Sequence, residues 1–165
     1  MKTIVVPTDF NIENLKIIDS LASTANSGSL RIIFLHAFKI SDSISDMLML
    51  NRRSRDYENV SDEFYDKLNE YKAKYPQEIS KLEISYFYGS TTAAFKNFLE
   101  GFDVDFIAYP KDYTFNALNK FSIDPSYIIS RSGCTIIELD VKEVARAENL
   151  FETKIPEIRY QTVSA

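Results

Sequence analysis

Few side chains in this sequence are suited to chemistry, and most stand singly. Asp9 follows the run Ile4-Val5-Val6-Pro7-Thr8. Ile4 to Val6 is apolar and β-branched, as in a strand buried on both faces, and Pro7 cannot extend a ladder. Thr8 and Asp9 then stand at the carboxyl end of a strand, where open α/β sheets bind ligands. Asp9 can accept from an amine or a hydroxyl of a ligand; equally, it can cap the turn or helix that follows. His36 is the single histidine, which excludes a histidine-pair metal site, and its place in an apolar run reads as a hydrogen-bonded core residue. Cys134 is the single cysteine, so there is neither an internal disulfide nor a cysteine metal cluster. Nothing basic adjoins it in sequence, which points to a small core residue and not a nucleophile. Asp103 and Asp105 bracket Val104 at a strand start, the far end of the sheet from the expected site. Arg52, Arg53 and Arg55, with Lys111 further on, can gather an anion or simply balance a neighbouring acidic helix. No dinucleotide glycine fingerprint, Walker loop, zinc-protease helix or nucleophile elbow occurs. One histidine inside a strand does not assemble a Ser/His/Asp triad. No catalytic residue and no metal site is expected.

The elements that must position these residues alternate in type. Asn11 can cap a helix carrying Leu15, Ile18, Leu21, Ala22 and Ala25 on one face, stopped by Gly28. Residues 30–37 form a second apolar strand. A polar loop follows, with Ile44, Met47, Leu48 and Leu50 as a short amphipathic turn. Tyr57, Val60, Phe64, Leu68, Tyr71 and Tyr75 then mark a long surface helix ended by Pro76. Residues 82–88 partly alternate, which places a third strand at a sheet edge. A helix through Phe95, Phe98, Leu99 and Phe102, capped by Ser90, Thr91 or Thr92, leads to a fourth strand over 104–109. A helix through Tyr127, Ile128 and Ile129 leads to a fifth over 134–139. Five strands alternating with four helices predict a doubly wound α/β domain with a parallel sheet over residues 1–140. Residues 141–165 form a C-terminal extension. There Val141, Val144, Ala145, Leu150 and Phe151 suggest a short helix, and 155–160 an extended stretch; its apolar residues need a surface to cover.

Composition bounds the function classes. A length of 165 residues suits one domain, and 45% hydrophobic residues is an ordinary globular content. A net charge of -5 argues against a general nucleic-acid binder or a binder of acidic membranes. No leader pattern and no apolar stretch of roughly 18 residues is found, so the expectation is a cytoplasmic protein. The 10 Tyr and 12 Phe are many for this length and must lie mostly in the core.

The order and spacing of these segments resemble the universal stress protein family, among the adenine-nucleotide α-hydrolase-like folds, over roughly residues 1 to 140. Val5-Val6-Pro7-Thr8-Asp9-Phe10 resembles the family's opening V-P-x-D-x-S strand, and Leu35-His36-Ala37 its second strand, which often ends L-H-V. Val104-Asp105-Phe106-Ile107 is similar to its D-L-I-V fourth strand, and Ser132-Gly133-Cys134-Thr135-Ile136-Ile137 to its A-P-C-P-V-L entry to the fifth. The resemblance implies a sheet in the order 3-2-1-4-5 with helices on both faces. It also implies a homodimer formed through the fifth strand; separately, the apolar residues of the tail are expected to pack across a partner subunit or to close over the sheet edge.

One branch of that family binds ATP with a G-x2-G-x9-G-[ST] loop after the fourth strand, because glycines let backbone N–H groups approach phosphates. Aligned from Cys134, the loop has the same length here, but its glycine positions hold Tyr109, Asp112 and Ser122, and its Ser/Thr position holds Ile123. Asp112 brings a negative charge towards the phosphate positions, and Pro110 removes a donor. The front half, matching Pro7, Thr8, Asp9 and the backbone near Ala37, lines the adenine and ribose end in the family. The expected function is therefore a non-enzymatic, universal stress protein-like stress-response or regulatory module that does not bind ATP in the family mode and has a protein partner or small ligand. The alternative is a nucleotide-binding protein for ATP or AMP, or a slow ATP hydrolase, with Lys111 and Ser122 at the phosphates and Asp9 at the base or ribose.

Overall fold

The computed structural model describes residues 1–25, 28–38, 60–111, 113, 115–118 and 122–139. The strands are β1 (Lys2–Pro7), β2 (Leu30–Phe38), β3 (Ile79–Tyr88), β4 (Phe106–Pro110) and β5 (Thr135–Leu139). They form one sheet in the order β3-β2-β1-β4-β5, every neighbouring pair parallel, as expected. β1 is central, with Ile4 paired to Ile32 on one side and Phe106 on the other. Pro7 is its last residue, where the missing N–H costs least. Asp105 fixes the junction with β4: its carboxylate accepts from the Thr3 N–H at 2.9 Å, and its own N–H donates to the Thr3 carbonyl at 2.8 Å. The carboxylate that stands beside Asp103 in sequence thus serves the sheet.

The described helices are α1 (Ile17–Ser23), α2 (Asp62–Lys74), α3 (Thr92–Gly101) and α4 (Ser126–Ser130). Two right-handed crossovers on each side separate the core into two layers. On one face, Leu15, Ile18 and Leu21 from the α1 region and Phe64 and Leu68 from α2 join Ile4, Val6, Ile32 and Phe34. On the other, Phe95 and Leu99 of α3 and Ile128 and Ile129 of α4 join Val5, Ile33, Leu35 and Ile107. The strand pattern explains this: neighbours in sequence point to opposite faces, and both faces are apolar.

Local starts differ in detail from the sequence reading. The first helical segment opens as a 3₁₀ turn over Ile12–Lys16, with Asn11 accepting from the Glu13 N–H, before α1 begins. The long surface helix starts after Ser61, whose hydroxyl accepts from the Phe64 N–H at 3.1 Å; Tyr57 lies outside the described residues. Thr91 is the cap of α3. Tyr127 is not a core residue of α4: it is 63% exposed, with the Arg131 guanidinium 4.6 Å from its ring centre. The amphipathic turn expected over 44–50, the three arginines at 52, 53 and 55, and the extension 141–165 all fall outside the described residues. No described helix is long and apolar enough to cross a membrane.

Candidate functional site

The site is built where β1 ends. The Thr8 N–H donates to the Leu35 carbonyl at 2.8 Å, and the Thr8 hydroxyl accepts from the Phe10 N–H at 2.9 Å. Phe10 takes a positive φ of 66°, a left-handed turn that a phenylalanine seldom adopts. Its ring is repaid by packing among Phe64, Tyr86 and His36, with centroids 5.6 to 5.9 Å away. Asp9 stands at the apex. One of its oxygens accepts from the Asn11 N–H at 3.1 Å and the Asn14 side-chain amide at 2.6 Å. The other accepts from the Asn116 amide, also at 2.6 Å.

β2 supplies the opposite wall. His36 is buried, with Nδ1 2.7 Å from the Thr8 carbonyl and Nε2 2.8 Å from the Ser122 hydroxyl. A carbonyl only accepts, so Nδ1 carries the proton there, and Nε2 accepts from Ser122. Ser122 Oγ in turn accepts from the Leu118 N–H at 3.0 Å. The Ile123 N–H donates to the Ala37 carbonyl at 3.0 Å, and Ser122 makes an antiparallel bridge to Phe38. Phe115 stacks on the His36 ring at 6.3 Å.

Of the residues singled out in the sequence, Pro7, Thr8, Asp9, Ala37, Ser122 and Ile123 are therefore brought together. Tyr109 lies half-buried in β4, its ring centre 5.8 Å from that of Tyr113. Lys111 is exposed, and its N–H is tied to the Leu139 carbonyl on the β5 side. Asp112 lies outside the described residues. Tyr113, which no motif or spacing singles out, is half-buried. Burial, then the Asp9 carboxylate, then that of Asp124 push its hydroxyl far above the ordinary phenol range. Burial likewise raises Tyr109, with Glu138 and Asp124 adding to it.

The acceptors that would meet a base or a sugar are thus already engaged. Asp9 accepts from three donors, the Ala37 carbonyl accepts from Ile123, and Ser122 is bonded to His36 and accepts from Leu118. Asn116 and the 122–123 backbone thus stand at acceptors that a bound base or sugar would otherwise meet. Among the described residues no cluster of His, Cys, Asp and Glu is arranged to hold a metal ion.

No family model and no curated protein matches the chain. Solved structures do. The crystal structure of hypothetical protein PH0823 superposes with a TM-score of 0.50 at 14% identity, over 84% of this chain and 95% of that one. That of hypothetical protein MJ0577 gives a TM-score of 0.50 at 16% identity, over 84% and 95% of the two chains. A universal stress protein in complex with cAMP aligns at 16% identity over 85% of this chain and 97% of that one, with a TM-score of 0.46. The chain shares its fold with these two hypothetical proteins, and its sheet has the strand order β3-β2-β1-β4-β5. At these identities the likeness to universal stress proteins concerns the fold and brings no residue's role with it. Asp9 takes its contacts from Asn11, Asn14 and Asn116. Of their donors, Asn14 is signalled by its place one turn beyond the Asn11 cap, whereas Asn116 lies 107 residues away with no periodic pattern to announce it.

Proposed function

We propose that this chain is a non-enzymatic module of the universal stress protein type, serving stress response or regulation in the cytoplasm, and that it does not bind ATP in the family manner. The observation that carries this reading is the filling of the cleft by the chain's own groups, Asp9 by Asn11, Asn14 and Asn116 above all. The residues at the glycine positions of the phosphate loop support it: Tyr109 and Ser122 have side chains, and Ser122 faces His36. Output then passes through a protein partner, or through a small ligand lacking phosphates, presented on a homodimer joined at β5.

Calorimetric titration of the purified protein with ATP and with AMP, each with and without Mg²⁺, tests the proposal. The expected result is no binding heat at micromolar nucleotide. Micromolar binding that disappears in Asp9→Ala would overturn it in favour of a nucleotide-binding protein with a divergent loop.

A further inference from the structure

On the face that carries α1 and α2, the sheet extends beyond its described helices. The buried helical side chains of that layer come from the α1 region and α2, while α3 and α4 occupy the other face. Next to α1, above β4 and β5, runs an apolar groove of about 390 Å³ lined by Ile4, Leu21, Leu30, Phe106, Ile137 and Leu139. Its lining is mostly hydrocarbon, with Thr24 polar and Lys2 alone charged. Its lining includes Leu139 at the carboxyl end of β5 and Lys2 and Leu30 at the amino ends of β1 and β2.

Two observations name its occupant. Leu139, the last described residue, is itself part of the groove wall, so the chain leaves the sheet at the groove's edge and continues from residue 140 to residue 165. That continuation carries Val141, Val144, Ala145, Leu150 and Phe151, an apolar set at roughly helical spacing. A helix over 141–151 would be about 16 Å long at 1.5 Å per residue, close to the roughly 17 Å of a five-residue strand. We propose that residues 141–165 fold back from β5 into this groove within the same chain and complete the layer begun by α1 and α2. The tail is then a part of the core and not an arm reaching for another subunit.

The test uses the full chain. Lys2→Cys in a Cys134→Ser background, labelled with a benzophenone maleimide and irradiated, places a photoreactive group at the groove rim. The expected product has monomer mass and joins position 2 to a peptide from 141–165. A product of dimer mass, or joins confined to residues 1–139, would overturn the proposal; the first would assign the groove to a second copy. Independently, Leu150→Asp with Phe151→Asp should speed amide hydrogen exchange in β5 and at Ile4 by about tenfold or more, because the strands lose their cover. Unchanged exchange would sink the idea, whatever the photochemistry gives.

Discussion

Two carboxylates and a phenol set the electrostatics at the end of β1. Asp9 is held by amide donors, and Tyr113 is half-buried, with burial and then the charges of Asp9 and Asp124 pushing its hydroxyl well above the usual range. The sign of the pH effect follows. The unfolded phenol loses its proton near about pH 10, whereas the folded one keeps it to higher pH. Above about pH 10 the folded chain therefore binds more protons than the unfolded chain, and stability falls as pH rises. Tyr113→Phe should flatten that fall, seen as a smaller drop in melting temperature between about pH 9 and pH 11 than the parent shows. An equal drop in both proteins would refute the assignment. At this scale the sequence revealed an acceptor at a strand end and nothing of what fills it. Asn116 and Tyr113 reach Asp9 through a loop without repeat or periodicity, so only the closed fold brings them there.

Elements were more legible because their signals are local. Apolar runs and helical stripes set out all five strands and the four helices, since both follow from which side of each element faces the core. The discrepancies sit at the ends, where one side chain decides. Ser61 was hidden among polar residues, yet its hydroxyl starts α2, and Tyr127 reads as apolar although α4 is only five residues long and turns it to solvent. α2 rests on the sheet chiefly through Phe64, fully buried and in edge contact with Phe10 and Phe34. Phe64→Ala should cost about 3–5 kcal/mol, and Ser61→Ala about 1 kcal/mol, measured by urea unfolding. A loss for Phe64→Ala no larger than that for the cap would mean that α2 is not anchored there.

For the whole molecule, the strand order leaves two sheet edges among the described strands, β3 and β5. The Leu139 carbonyl accepts from Lys111 on the β4 side, and alternate residues of a strand aim their polar groups alike, so Ile136 and Glu138 direct theirs outward. A dimer joined at β5 would use those groups. Glu138→Pro removes one outward donor without touching the β4 ladder, and sedimentation should then show dissociation relative to the parent; a parent that sediments as a monomer would dismiss the β5 dimer. Beyond the edge place of β3, which its alternation signals, the strand order was legible only through resemblance, because hydrophobic pattern says that strands are buried and not which neighbour each takes. That order has a consequence in time. β1 is made first and stands in the middle, but its second neighbour arrives with β4, and the Thr3–Asp105 bond joins residues 102 apart. At roughly 5–20 residues per second on the ribosome, the growing chain carries an open rim on its central strand for about 5 to 20 s. Through that interval the newborn protein is an unfinished sheet, and slowing translation between β2 and β4 would prolong its exposure to whatever else is seeking a strand.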